Sequence, residues 1–183
     1  MRITAGEWRG RKLTAPEGDD VRPTSDKVRQ AVFNILGGYG LPGDAAVLDG
    51  FCGTGALGLE ALSRGARFCV FMDNSKESLS FTRRNVIAAG ADERSLLLQR
   101  DVLKPGARPA TVEVAGLLFL DPPYRKSLAG QALAALAEGG WLAAEAVCVV
   151  ECESGLAAPL PPGFALLDDR SYGGTRVLFY RHG

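Results

Sequence analysis

Histidine is nearly absent from this chain: His182 is the single one in 183 residues. No cysteine or acid stands at ligand spacing from it, so His182 reads as a solvated residue near the chain end and no metal site is expected. Cysteine is sparse and unpaired in pattern. Cys52, Cys69, Cys148 and Cys152 form no C-x-x-C motif, and three of them lie in apolar runs that read as buried strands. Small buried thiols in a reducing compartment are expected, rather than disulfides or a zinc site. No uncharged apolar run approaches the ~18 residues that span a bilayer. Met1 to Leu13 carries arginines and no apolar core segment, so no secretory signal is read there and a cytoplasmic location is expected. An excess of charge is missing too: Lys+Arg and Asp+Glu are both 21. A nucleic-acid partner would therefore need a local basic face. Hydrophobic residues make up 46% and charged residues 23%, which excludes a disordered chain. Internal repeats and low-complexity segments are also lacking.

The first forty residues differ from the rest. Arg2-Ile3-Thr4-Ala5 and Gly10-Arg11-Lys12-Leu13 flank Gly6 to Arg9, the pattern of a small hairpin. A glycine- and proline-containing loop spans Pro16 to Pro23. A helix is predicted over Thr24 to Leu36, with Thr24 or Ser25 as N-cap and Asp26 in the first turn. Val28, Val32, Ile35 and Leu36 form its apolar stripe, and Gly37 and Gly38 are expected to stop it.

From Ala45 onward, strands alternate with helices. Strands are predicted at Ala46 to Asp49, Arg67 to Met72, Leu96 to Gln99, Leu117 to Leu120 and Ala146 to Val150. Helices are predicted at Gly55 to Ser63, Ser75 to Ala89 and Ser127 to Ala137. Continuous apolar strands between helices imply a parallel sheet covered on both faces. Two last strands, Phe164 to Leu167 and Arg176 to Tyr180, flank Gly173-Gly174 and must pair antiparallel. The expected class is α/β: a mostly parallel sheet of seven strands with a final antiparallel hairpin. The expected division is an N-terminal extension, 1–40, and a larger domain, 41–183.

The phrase Val47-Leu48-Asp49-Gly50-Phe51-Cys52-Gly53-Thr54-Gly55-Ala56-Leu57-Gly58 places G-x-G-x-x-G between a strand and a helix. Glycines there let backbone approach a ligand. Asp73, at the end of the second strand, suits ribose hydroxyls. Asp101, at the end of the third, is placed to accept from an adenine amino group. Asp49 would repel a pyrophosphate at the helix N-terminus but attract an ammonium or sulfonium. Three acids at strand ends favour S-adenosylmethionine over a dinucleotide. The candidate cofactor set is Asp49, Phe51, Cys52, Gly53, Thr54, Gly55, Asp73, Asn74, Asp101 and Val102. The competing assignment for each aspartate is a helix cap or turn former.

Asp121-Pro122-Pro123-Tyr124 follows the fourth strand. Two prolines make a stiff turn and bias Asp121 toward extended geometry. The Asp121 carboxylate and the Pro122 carbonyl then stand as neighbouring acceptors. An exocyclic amino group offers two hydrogens and a lone pair delocalised into its ring. Two acceptors gripping both N–H bonds would localise that lone pair and aim it at a methyl group. Tyr124 offers an aromatic face to an unstacked base, worth roughly 1–3 kcal/mol. Asp121, Pro122, Pro123 and Tyr124 are the candidate catalytic residues.

With these motifs the chain resembles the small-subunit ribosomal RNA guanine-N2 methyltransferase family, RsmD. Four phrases carry the resemblance across nearly the whole chain: Ala5-Gly6-Glu7-Trp8-Arg9-Gly10-Arg11-Lys12-Leu13, Arg22-Pro23-Thr24-Ser25-Asp26-Lys27-Val28-Arg29, Gly53-Thr54-Gly55-Ala56-Leu57-Gly58-Leu59-Glu60-Ala61 and Leu120-Asp121-Pro122-Pro123-Tyr124. Many amino-methyltransferases share the last two; the first two are more particular. The resemblance implies the Rossmann-like fold of a class I S-adenosylmethionine-dependent methyltransferase, a seven-stranded sheet with an N-terminal extension, and S-adenosylmethionine as donor. It implies N2 of one guanine of 16S rRNA, within an assembled small subunit, as acceptor. Nothing in the residues demands an oligomer, so a monomer is expected. Where the family usually reads D-L-F-A-G-S-G, this chain has Asp49-Gly50-Phe51-Cys52-Gly53-Thr54-Gly55; where it often has Glu, this chain has Asp73.

Arg9, Arg11, Lys12, Arg22, Lys27 and Arg29 cluster in the N-terminal segment and are the candidate RNA-binding residues, contacting phosphates without reading sequence. Trp8 either stacks on a base or pins the hairpin. A chain of 183 residues has no room for a separate target-reading domain, which suits RNA recognised by shape and exposed bases. Competing readings are an adenine-N6 or other amino-methyltransferase on DNA or RNA, a nicotinamide-dependent oxidoreductase, and a non-catalytic ribosome-assembly factor.

Overall fold

The computed structural model describes residues 1–16, 25–123, 128–155 and 157–183. Among the described residues seven strands form one sheet. In chain order the elements are α1 Asp26–Gly38, β1 Ala46–Gly50, α2 Ala56–Ser63, β2 Phe68–Asp73, α3 Lys76–Ala89, β3 Ser95–Gln99, β4 Ala115–Leu120, α4 Leu128–Glu138, β5 Leu142–Glu153, β6 Phe164–Tyr172 and β7 Thr175–His182. Strands β3 through β5 pair in parallel, and β7 lies antiparallel between β5 and β6. Across the sheet the order is β3-β2-β1-β4-β5-β7-β6. The alternation of apolar strands with helices predicts the parallel pairing and the antiparallel closing pair; the strand order and the pairing of β7 with β5 come from the tertiary structure.

Successive residues of β1 serve opposite faces of the sheet. Val47 joins Leu59, Phe71, Val86 and Phe119 on one side, beneath α2 and α3. Leu48 joins Met72, Leu118, Leu133 and Leu136 on the other, beneath α4. Ile3, Trp8, Leu13, Phe33 and Leu36 bury their side chains in the first of these cores. The N-terminal segment therefore packs on the sheet through the same apolar layer as α2 and α3.

Local chemistry sets the helix ends. Ser25 caps α1, its hydroxyl accepting from Val28 N at 3.2 Å. Gly37 and Gly38 fall inside the last turn of α1, and the helix ends at Tyr39. Ser75 caps α3, and Gly90 closes it in the left-handed region at φ 70°. Strands β5, β6 and β7 run longer than the apolar runs indicate. Their polar residues sit in edge and hairpin pairings such as Asp169↔Leu178 and Glu153↔Thr175. The expected N-terminal hairpin exists as a short antiparallel contact between Arg2 and Lys12. His182 is not a solvated residue: it lies in β7, its Nδ1–H donates to the Ala143 carbonyl at 3.0 Å, and its ring packs 5.1 Å from that of Phe164. Cys52, Cys69 and Cys148 are buried free thiols, and burial raises all three out of the ordinary thiol range, Cys148 to about 12. Among the described residues no helix is long and apolar enough to cross a membrane.

Candidate functional site

Strand order reverses between β1 and its neighbours β2 and β4, the place where open α/β sheets form a crevice at their carboxyl ends. The register puts Asp49 opposite Phe119 and Gly50 opposite Leu120. Asp121 therefore leaves β4 at the level where Phe51 leaves β1. The candidate cofactor loop and the D-P-P turn emerge side by side from adjacent strands.

The loop itself is tightly turned. Phe51 has φ 56°, Gly53 φ 55° and Gly55 φ 78°. A left-handed Phe51 carries strain of order 1–3 kcal/mol, of the kind that collects at functional sites. Gly55 opens α2 where a side chain would press on Thr82 Cγ2 at 3.0 Å and Phe71 Cε1 at 3.2 Å. At Gly50 an added Cβ would come within 2.8 Å of Leu120 Cδ2 and 3.3 Å of Val102 Cγ1. Its glycine lets those two buried side chains close the floor beneath the loop.

Each of the three strand-end aspartates accepts from backbone N–H groups, Asp49 as a helix cap and Asp73 and Asp101 in turns. Asp49 Oδ2 accepts from Gly58 N at 2.9 Å, satisfying a first-turn N–H of α2 that has no side-chain cap of its own. Asp73 accepts from Gly53 N at 3.1 Å and Ser75 N at 2.9 Å. Asp101 accepts from Leu103 N at 2.9 Å. The cap-or-turn assignment is thus realised at all three. It leaves acceptor positions over for a ligand, because a carboxylate offers about four lone-pair positions. Asp49 is the unusual member: burial is the main cause, offset by the Gly58 N–H and reinforced by the nearby Asp73 charge, and together they push its carboxyl up to about 8. A buried acid so placed holds a proton until a cation approaches.

Cys52 and Gly55 are buried in the loop, Phe51, Gly53 and Thr54 half-buried, and Asn74 exposed beside Asp73. Asp121 is half-buried, Pro122 buried and Pro123 exposed. Tyr124 and Arg22 lie outside the described residues. Among those described, no group of His, Cys, Asp or Glu side chains could hold a metal ion.

The N-terminal basic residues separate into two kinds. Arg9, Lys12 and Lys27 are exposed, and Arg11 is exposed while donating from Nη1 to the Ala88 carbonyl. Arg29 is different, and its assignment as an RNA contact is corrected here. It has no exposed surface. Its Nε donates to Glu60 Oε2 at 3.2 Å, and its Nη2 to Asp26 Oδ1 at 2.7 Å and to the Arg2 carbonyl. A guanidinium enclosed by two carboxylates cannot reach a phosphate. Trp8 is also settled: its side chain is buried, its backbone N–H donates to Ser63 Oγ at 2.9 Å, and Arg94 stacks over its ring at 4.9 Å, so it pins the segment.

Sequence reasoning passed over Glu60, Ser63 and Asn85. Glu60 accepts from Thr4 N, Thr4 Oγ1, Ala5 N, Arg29 and Arg64. Gly6 lies so close to the Ser63 carbonyl that a Cβ would stand 1.9 Å from its oxygen. Glu60 sits in the third resemblance phrase and Gly6 in the first, but nothing in either phrase says that they meet.

Residues 1–181 match a family model described as "Conserved hypothetical protein 95". A protein named ribosomal RNA small subunit methyltransferase D from Haemophilus influenzae is 35% identical over 185 residues, covering 99% of this chain and 92% of its own. The protein of the same name from Escherichia coli K12 is 36% identical, covering 88% of this chain and 79% of its own. A solved Escherichia coli structure, provisionally described as a methyltransferase, superposes with TM-score 0.84 at 33% identity, covering 100% of this chain and 97% of its own.

Proposed function

We infer the function of this chain from one premise: it belongs to the family described as Conserved hypothetical protein 95, with the small-subunit rRNA methyltransferases D among its relatives. The chain is a methyltransferase. Its proposed reaction is transfer of a methyl group from S-adenosylmethionine to the exocyclic N2 of one guanine of 16S rRNA. The observation that carries this reading is the adjacency of the two loops. The loop after β1, with its buried Asp49, and the Asp121-Pro122-Pro123 turn after β4 leave neighbouring parallel strands at the same level.

S-adenosylmethionine, when bound, supplies an electrophilic methyl group on a sulfonium. The residues that would hold it are Asp49, Phe51, Cys52, Gly53, Thr54 and Gly55 around the donor side, Asp73 and Asn74 at the ribose, and Asp101 and Val102 at the adenine. Asp49 fits a cationic ligand: a buried carboxyl pushed up to about 8 releases its proton when a positive charge takes its place. The methyltransferase relatives set the oxidoreductase reading aside. Asp121 and the Pro122 carbonyl accept the two amino hydrogens of guanine, orienting the nitrogen and raising its lone-pair density. Tyr124 would stack on the extruded base. Arg9, Arg11, Lys12, Arg22 and Lys27 contact RNA backbone. The N-terminal extension, residues 1–40, is thereby the RNA-binding part and 41–183 the transferase domain. The protein acts as a monomer on the small subunit in the cytoplasm.

The test offers labelled S-adenosylmethionine with undermethylated small ribosomal particles, naked small-subunit rRNA and duplex DNA side by side. Label in rRNA that digests to N2-methylguanosine is the expected result. Label in adenine or DNA would move the chain to the adenine-N6 class. Cofactor binding without transfer to any of them would favour the assembly-factor reading.

A further inference from the structure

Helix α3 carries a face that touches both the cofactor loop and the N-terminal segment. Thr82 Oγ1 donates to the Gly53 carbonyl at 2.8 Å. Three residues on, Asn85 is buried, and its side-chain amide is divided between two distant strands of backbone. Its Nδ2 donates to the Thr54 carbonyl and to the Thr14 carbonyl, both at 2.9 Å, and its Oδ1 accepts from Thr14 N at 2.7 Å. Three residues further, the Ala88 carbonyl accepts from the exposed Arg11. Thr14 and Thr54 share no strand or helix; the amide group of Asn85 joins them.

We propose that Asn85 is a positioning residue that couples RNA engagement by the N-terminal segment to the geometry of the cofactor loop, so that cofactor and RNA bind cooperatively. This rests on the reading of the glycine loop as the cofactor site and the N-terminal segment as an RNA grip. The physical reason is the amide's fixed geometry. Its donor and acceptor are coplanar, so holding Thr14 by both backbone groups fixes the plane, and the plane fixes where the second N–H meets Thr54. A shift of Thr14 and Arg11 on RNA therefore reorients the group that holds the Thr54 carbonyl. Such coupling is reciprocal: RNA tightens cofactor binding by the factor by which cofactor tightens RNA binding.

The coupling has a ligand-free test and a ligand-bound one. In the first, Thr14→Pro removes the N–H that Asn85 Oδ1 accepts, and backbone amide exchange is followed in the peptide covering residues 52–57. Exchange there is expected to speed several-fold, while residues 46–49 of β1 keep their protection. Acceleration confined to residues 1–14 would overturn the proposal. In the second, the dissociation constant of S-adenosylmethionine is measured with and without undermethylated small ribosomal particles. The wild-type ratio is expected to be about 5 or more. In Asn85→Asp, which keeps the acceptor but turns a carboxylate toward the Thr54 carbonyl, it falls to near one. A wild-type ratio of one, or a ratio unchanged in Asn85→Asp, overturns the coupling. A chain that binds neither ligand overturns the functional reading instead, and the exchange result still decides whether Asn85 links the two segments.

Discussion

Arg29 and Glu60 meet with both side chains fully buried, Nε to Oε2 at 3.2 Å, between α1 and the middle of α2. Glu60 also takes Arg64 Nε at 2.8 Å and the backbone of Thr4 and Ala5. One carboxylate thereby ties α1, α2 and the first strand-like residues to each other. Replacing Arg29 takes from the buried Glu60 one of its two cations and removes the buried donor that also serves Asp26 and the Arg2 carbonyl. Arg29→Ala is expected to cost about 3–5 kcal/mol, seen as a lowered midpoint in urea unfolding. Arg29→Lys also destabilises, because an ammonium cannot reproduce the guanidinium fork. An unfolding midpoint unmoved in Arg29→Ala would refute the structural role.

RNA affinity and stability should separate by residue. Arg9→Ala with Lys12→Ala removes two exposed charges and is expected to leave the unfolding midpoint in place. The same pair is expected to reduce the slope of log affinity for RNA against log salt by about 0.7–0.9 for each phosphate no longer neutralised. An unaltered slope would remove Arg9 and Lys12 from the interface.

Asp121→Ala removes the acceptor proposed to grip the amino group. The rate of transfer is expected to fall on the order of 10²–10³, while S-adenosylmethionine affinity measured by calorimetry stays within a small factor. Equal loss of cofactor affinity would show that Asp121 belongs to the cofactor's side of the site.

Asp49 makes two pH-dependent predictions of one origin. Its carboxyl is raised from 3.8 to about 8 in the folded chain. The folded state keeps a proton that the unfolded state releases, so this group's contribution to stability is full below about pH 4 and is lost as pH rises through about 8. A cationic ligand favours the ionised form, so its affinity should rise with pH, at most tenfold per unit, and level off above about 8. Asp49→Asn should flatten both profiles. A slope that survives in Asp49→Asn would assign it to another group.

The strand–helix alternation, the glycine loop and the D-P-P turn are local patterns, and each was readable because neighbouring residues carry the whole signal. Burial of Val47, Phe71, Leu117 and Phe119 follows from continuous apolar runs. Arg29 was not readable in this way. It lies among basic residues that face solvent, and only the approach of Glu60, 31 positions away, turns it inward. Asn85 was invisible for the same reason, since its partners stand 71 and 31 positions distant.

The sequence by itself determined the class of sheet, the order of its elements and the motifs at the strand ends, because period and turn chemistry act over a few residues. The tertiary structure alone decided which charges are spent inside the protein. It also decided that Asp49 is buried enough to hold a proton near neutrality, and that Asn85 joins the N-terminal segment to the glycine loop. Those properties depend on desolvation and on hydrogen bonds between distant segments, which exist only once the sheet has brought them together.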